Sequence, residues 1–140
     1  MRIKIVITKT GGAIRDSEHR LAPSFDHGAS LARNEPDEKR FLRLNGPDPG
    51  FDIEKFARNA RSSLYARDSD KKTLITLEAY RKFAERCPSA AHAWQERLHL
   101  LQAADFETIV ERIPDDRMSR IAKDFTTRLL LINQRRILES

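Results

Sequence analysis

The sequence predicts a mainly α protein, with a short N-terminal β-hairpin or meander followed by a five-helix C-terminal bundle. Three observations carry this reading. Residues 2–8 set Arg and Lys against Ile and Val with the period-two pattern of a half-buried strand. Pro36, Gly46, Pro47, Pro49 and Gly50 punctuate residues 34–51, where regular structure is hard to continue. From Asp52 onward, apolar side chains recur at helical spacing almost to the last residue.

At 140 residues the chain can bury a core, and it reads as one compact domain with three stretches. These are a β-rich segment at 1–33, a loop at 34–51 and a helical part at 52–140. Apolar residues make up 39% and charged residues 34%, which is a globular composition with a heavily charged surface. No apolar run reaches the roughly 18 residues that a bilayer requires, and no signal peptide is visible. A single cysteine, Cys87, rules out an internal disulfide and agrees with a reducing, cytoplasmic setting. It closes an apolar helical stripe and reads as an inert core thiol.

Taken in order, Gly11-Gly12 turns the chain after the first strand, and Ala13-Ile14 starts a second. Asp16-Ser17-Glu18 makes another turn, and residues 19–25 form a third extended piece. Within the loop, residues 37–42 offer one helical turn. Asp52 caps the first long helix, whose inward stripe is Ile53, Phe56, Ala57, Ala60 and Leu64. A polar loop at 66–73 separates it from a helix capped by Thr76, with Leu77, Tyr80, Phe83, Ala84 and Cys87 inward. Pro88 ends that helix, and Ser89 caps the next, whose stripe is Ala90, Ala91, Trp94, Leu98 and Leu101. Asp105 caps a short helix through Phe106, Ile109, Val110 and Ile113, stopped by Pro114. Asp115 or Asp116 then opens the longest helix, over residues 118–138, with Met118, Ile121, Ala122, Phe125, Leu129 and Ile132 inward.

The net charge of +5 raises the question of nucleic acid, so its distribution matters. Residues 1–50 carry nine Lys/Arg against seven Asp/Glu, residues 51–100 ten against seven, and residues 101–140 seven against seven. The excess is small and spread out. The one local concentration is Arg117, Arg120, Lys123, Arg128, Arg135 and Arg136, which reads first as a solvated helix face. His19, His27, His92 and His99 lack metal-ligand spacing, and no phosphate-binding glycine loop, dinucleotide fingerprint or nucleophile elbow is present.

What is left is the stretch Leu21-Ala22-Pro23-Ser24-Phe25-Asp26-His27-Gly28-Ala29-Ser30-Leu31. A carboxylate leaving a strand onto a glycine-containing turn suits magnesium or phosphate chemistry. The same residues also fit an ordinary Asp/Gly turn with no ligand. This stretch resembles the metal-binding segment of HipA-type serine/threonine kinases, the toxins of bacterial toxin–antitoxin pairs. Phe56-Ala57-Arg58-Asn59-Ala60-Arg61-Ser62, the helix around Trp94, the segment from Ile113-Pro114 to Phe125 and the final Leu129-Leu130-Leu131-Ile132-Asn133-Gln134-Arg135-Arg136-Ile137-Leu138 resemble that family's C-terminal helical domain in the same order. Ala32 departs from the pattern, since relatives often have glycine there.

The resemblance covers residues 12–138 and implies the C-terminal lobe of a protein-kinase-like fold. It implies that Asp26 is a ligand of the magnesium ion bridging the ATP phosphates, and that Mg2+ and ATP are the parent cofactors. It implies no catalytic residue here, because residues 1–10 contain neither the Asp base nor the Asn ligand of the family's catalytic loop. The expectation is therefore a truncated or frame-shifted kinase piece that is inactive alone. The expected partner is a helix-turn-helix antitoxin-like protein, with nucleic acid contacted only through it and homo-oligomers forming through an exposed lobe interface. The alternative is a small helical interaction module.

Overall fold

The structure, a computed structural model, describes residues 30–140 throughout and, ahead of them, the backbone of residues 6–7, 12–15 and 18–21. The chain falls into two compact units, Met1–Arg33 and Asn34–Ser140, where the sequence reads as one compact domain. In the first unit, β1 (Val6–Ile7), β2 (Gly12–Arg15) and β3 (Glu18–Leu21) lie in that order as antiparallel neighbours. Val6 pairs with Ile14, and Gly12 pairs with Leu21. The unit ends in a tight turn, where the Arg33 N–H donates to the Ser30 carbonyl at 3.2 Å. Its two central residues, Leu31 and Ala32, have φ of 53° and 58°.

The second unit is helical. Its six helices are α1 (Asp37–Asn45), α2 (Ile53–Asn59), α3 (Thr76–Arg86), α4 (Pro88–Leu100), α5 (Ala103–Glu111) and α6 (Arg120–Leu138). The first of these corrects the sequence reading, in which residues 34–51 form a loop with a single helical turn. Pro36 fixes the entry, Asp37 and Glu38 face the positive end of the helix dipole, and Arg43 sits in the last turn. Gly46 closes α1 with its N–H on the Leu42 carbonyl at 2.7 Å, and a Cβ there would collide with that oxygen. The breaker residues bound this helix on both sides; they do not abolish it.

Asp52 caps α2 as its sequence position indicates, accepting from the Lys55 N–H at 2.7 Å. The helix stops at Asn59, so Leu64 is not on its face. Residues 60–76 instead double back: Ser62 N–H donates to Leu74 O at 2.8 Å, Leu74 N–H to Leu64 O at 2.7 Å, and Thr76 N–H to Ala60 O at 2.8 Å. The other four starts each differ from the expected cap. Glu78 in the first turn of α3 accepts from the Ile75 N–H at 3.2 Å. Asp105 in the first turn of α5 accepts from the Gln102 N–H at 2.7 Å. Ser119, not Asp115 or Asp116, caps α6 by accepting from Ala122 N–H at 3.2 Å. Asp115 and Asp116 are used up in the turn that brings Met118 N–H back to Pro114 O at 3.1 Å. Ser89 does not cap α4: Cys87 stands at the N-cap and Pro88 supplies the first residue of the helix, where a missing N–H costs nothing.

Helix α6 packs against each of the other five. Its buried residues are Ala122, Lys123, Phe125, Thr126, Leu129 and Ile132, so four of the six expected inward positions are fully covered. Phe125 is completely buried and meets Phe56 of α2 edge to face, with centroids 5.5 Å apart. Ile53, Ala57, Ala91 and Val110 complete the apolar core of this unit. Arg43 lies over the rings of Phe51 and Phe56 at 4.0 and 4.7 Å and pairs with Glu35 at 2.7 Å, which fixes α1 to the start of α2.

Candidate functional site

Asp26, the one residue that the sequence reading assigns to a metal, lies outside the described residues. Among the described residues, no three His, Cys, Asp or Glu side chains converge to hold a metal ion. His92 and His99 stay apart from any such group: His92 faces Glu96 at 3.7 Å on the exposed side of α4.

The basic side chains of α6 can be placed one by one. Arg120 pairs with Glu111 at 2.7 Å and with Asp124 at 3.0 Å. Lys123 is buried along its stem and brings its ammonium to Asp115 at 2.7 Å and Glu111 at 3.6 Å. The hydrogen bond from Lys123 holds the Asp115 carboxyl below its ordinary range, and the same bond raises the lysine. Arg135 reaches Glu54 at 2.6 Å, Arg117 sits 3.7 Å from Asp116, and Arg136 donates to the Ala57 carbonyl at 2.7 Å. Arg128 alone of the six has no such partner among the described residues. The face that reads in sequence as a solvated helix face is thus met by carboxylates from α2, α5 and the turn before α6. Sequence spacing within one helix could not reveal Glu54 and Glu111 among those partners.

A second surface came from the same stripes that were read as core. α3 buries no residue completely and α4 buries only Ala91. Phe83 is 40% exposed and Trp94 47%, and Cys87 is exposed rather than buried. Between α3, α4 and α6 these helices leave a groove of about 360 Å3, lined by Tyr80, Trp94, Gln95, Arg97, Leu98, Leu101 and Ile137. Arg97 is its single charged residue and stacks over Trp94 at 5.2 Å. Two glutamines hold the walls together. Gln95 donates to Ile137 O at 3.1 Å, and Gln134 donates to Leu98 O and Leu101 O, both at 2.8 Å. Those glutamines went unremarked in the sequence, since nothing in a lone amide side chain announces which carbonyl it will cap.

Set against known proteins, the chain matches no family model, and no curated protein or solved structure matches it.

Proposed function

We propose that residues 12–138 are the C-terminal-lobe portion of a HipA-type serine/threonine kinase, silent by themselves and built to work with an ATP-binding lobe in the cytoplasm. The support is the wording of the Asp26 segment together with one backbone observation just after it. Ala32 occupies the second central position of a turn with two positive φ values, a place that favours glycine. Glycine is what the resemblance puts there, so the motif's one internal departure falls where its geometry is legible. The helical unit that follows suits the same reading without adding to its chemistry.

Phosphoryl transfer relies on positioned charges around the nucleotide, and Asp26 is the only member of that set within this sequence. Titration of the chain with Mg–ATP should give binding weaker than about 1 mM. Mixed with the N-terminal lobe and catalytic loop of a HipA-type kinase, the chain should acquire binding that Asp26→Ala removes. If the two pieces associate and Asp26→Ala leaves nucleotide binding intact, the assignment is wrong.

A second reading, a helical interaction module, is favoured by the groove beside Trp94. It predicts that a helix-turn-helix protein encoded nearby is retained by the chain and released by Trp94→Ala. Retention that is indifferent to Trp94 would remove the groove from that account.

A further inference from the structure

The groove between α3, α4 and α6 combines an apolar wall with one unanswered charge. Its 360 Å3 falls within the range of about 300–1,000 Å3 in which proteins hold small ligands. Among the described residues, Arg97 is the one charged side chain on its walls. Arg97 stacks on Trp94 and makes no ion pair among those residues. Glu96, beside it in the chain, is turned toward His92 at 3.7 Å. The guanidinium therefore stands over apolar surface with no carboxylate to meet it.

The backbone adds no competing polarity. The carbonyls of Leu98 and Leu101 already accept from Gln134, and that of Ile137 accepts from Gln95. The same three bonds tie α4 to α6, so the two walls are fixed before anything enters between them. From Trp94 to Leu101 the α4 wall rises about 10 Å, which an extended alkyl chain of about eight carbons matches. A single guanidinium suits a single negative charge, bonded through both carboxylate oxygens. A dianion would leave its second charge against apolar walls, which is costly. The lining is seven residues, whereas one side of a standard protein interface uses about 20–30. A protein seated here would need most of its contacts elsewhere.

We propose that this groove binds a medium-chain monocarboxylate, its alkyl chain along Leu98, Leu101 and Ile137 and its carboxylate on Arg97. The proposal does not rest on Asp26, so it and the kinase reading fail separately. The helical partner of the second reading is the rival occupant.

Trp94 is the one tryptophan of the chain, so its fluorescence reports on this groove. Octanoate added to the 140-residue protein should shift the Trp94 emission to the blue saturably, with half-saturation below about 1 mM. Octanol should also bind, and octyltrimethylammonium should bind more weakly than octanol. Arg97→Gln should weaken octanoate about three- to fivefold, the effect of an exposed ion pair, and leave octanol unchanged. Leu101→Glu should abolish octanoate binding, while Leu100→Glu, 74% exposed and outside the groove, should not. Both positions are exposed, so each variant should melt with the parent protein. The proposal is overturned by the absence of a saturable shift, by octanoate binding that ignores Arg97→Gln, or by equal effects of the two leucine changes. A blue shift that grows with protein concentration alone assigns the groove to a second copy. Protection of Trp94 by a helix-turn-helix protein that octanoate cannot displace assigns it to that partner. Either result also overturns the proposal.

Discussion

Helix α6 and the α3–α4 pair each carry an apolar stripe in the sequence, and the protein treats them in opposite ways. α6 covers Ala122, Phe125, Leu129 and Ile132 and has a neighbour on nearly every side. α3 and α4 between them bury only Ala91. An apolar stripe says which face of a helix turns toward other protein; it does not say how much protein is there to meet it. A central helix spends its stripe on packing, whereas two peripheral helices leave Trp94 and Phe83 half in water.

The contrast can be broken most directly at Phe125. Phe125→Ala should lower unfolding free energy by about 3–5 kcal/mol, read from urea midpoints, because the cavity it leaves is walled by Phe56 and cannot collapse. Ser119→Ala should cost about 1 kcal/mol, since it uncaps α6. Cys87→Ser should move the midpoint by less than about 0.5 kcal/mol, and native Cys87 should react with a maleimide as fast as the thiol of unfolded chain. A protected thiol would return α3 to the core.

Acid sharpens the same comparison. A hydrogen bond from Ser119, then one from Arg40, holds the Asp37 carboxyl below its ordinary 3.8, and Lys123 does the same for Asp115. A lowered folded-state value means stability that is present above 3.8 and lost as pH falls through the lower folded value. Lys123 is raised above 10.5, so its share is present below that pH and lost as alkali passes the folded value. Lys123→Met should therefore flatten the stability profile at both extremes, measured as melting temperature against pH. An unchanged acid limb would mean that the pair contributes little because Asp115 is so exposed.

The existence and order of α2 to α6 were legible because apolar spacing and breakers such as Pro88 and Pro114 act locally. The capping roles of Asp52 and the inward set of α6 were legible for the same reason. Apart from α1, what escaped was non-local. Residues 37–45 were hidden by the density of Pro and Gly around them, although Asp37, Glu38 and Arg43 carry the charge order of a helix. The partners of Arg120, Lys123 and Arg135 sit on other elements, up to 81 residues away in the case of Glu54. Asp26 belongs to the opposite case: its motif can be read in the sequence, and its surroundings lie outside the described residues.

The placement of α6 after the other five helices has a consequence for synthesis. A ribosome releases α1 to α5 before the helix that unites them exists, and at ordinary elongation rates the interval lasts on the order of seconds. During it, the faces of α2 and α5 that pack on α6 lack that partner. The nascent chain is then a natural client for a chaperone, and messages broken before the codon for Phe125 would yield products that never close.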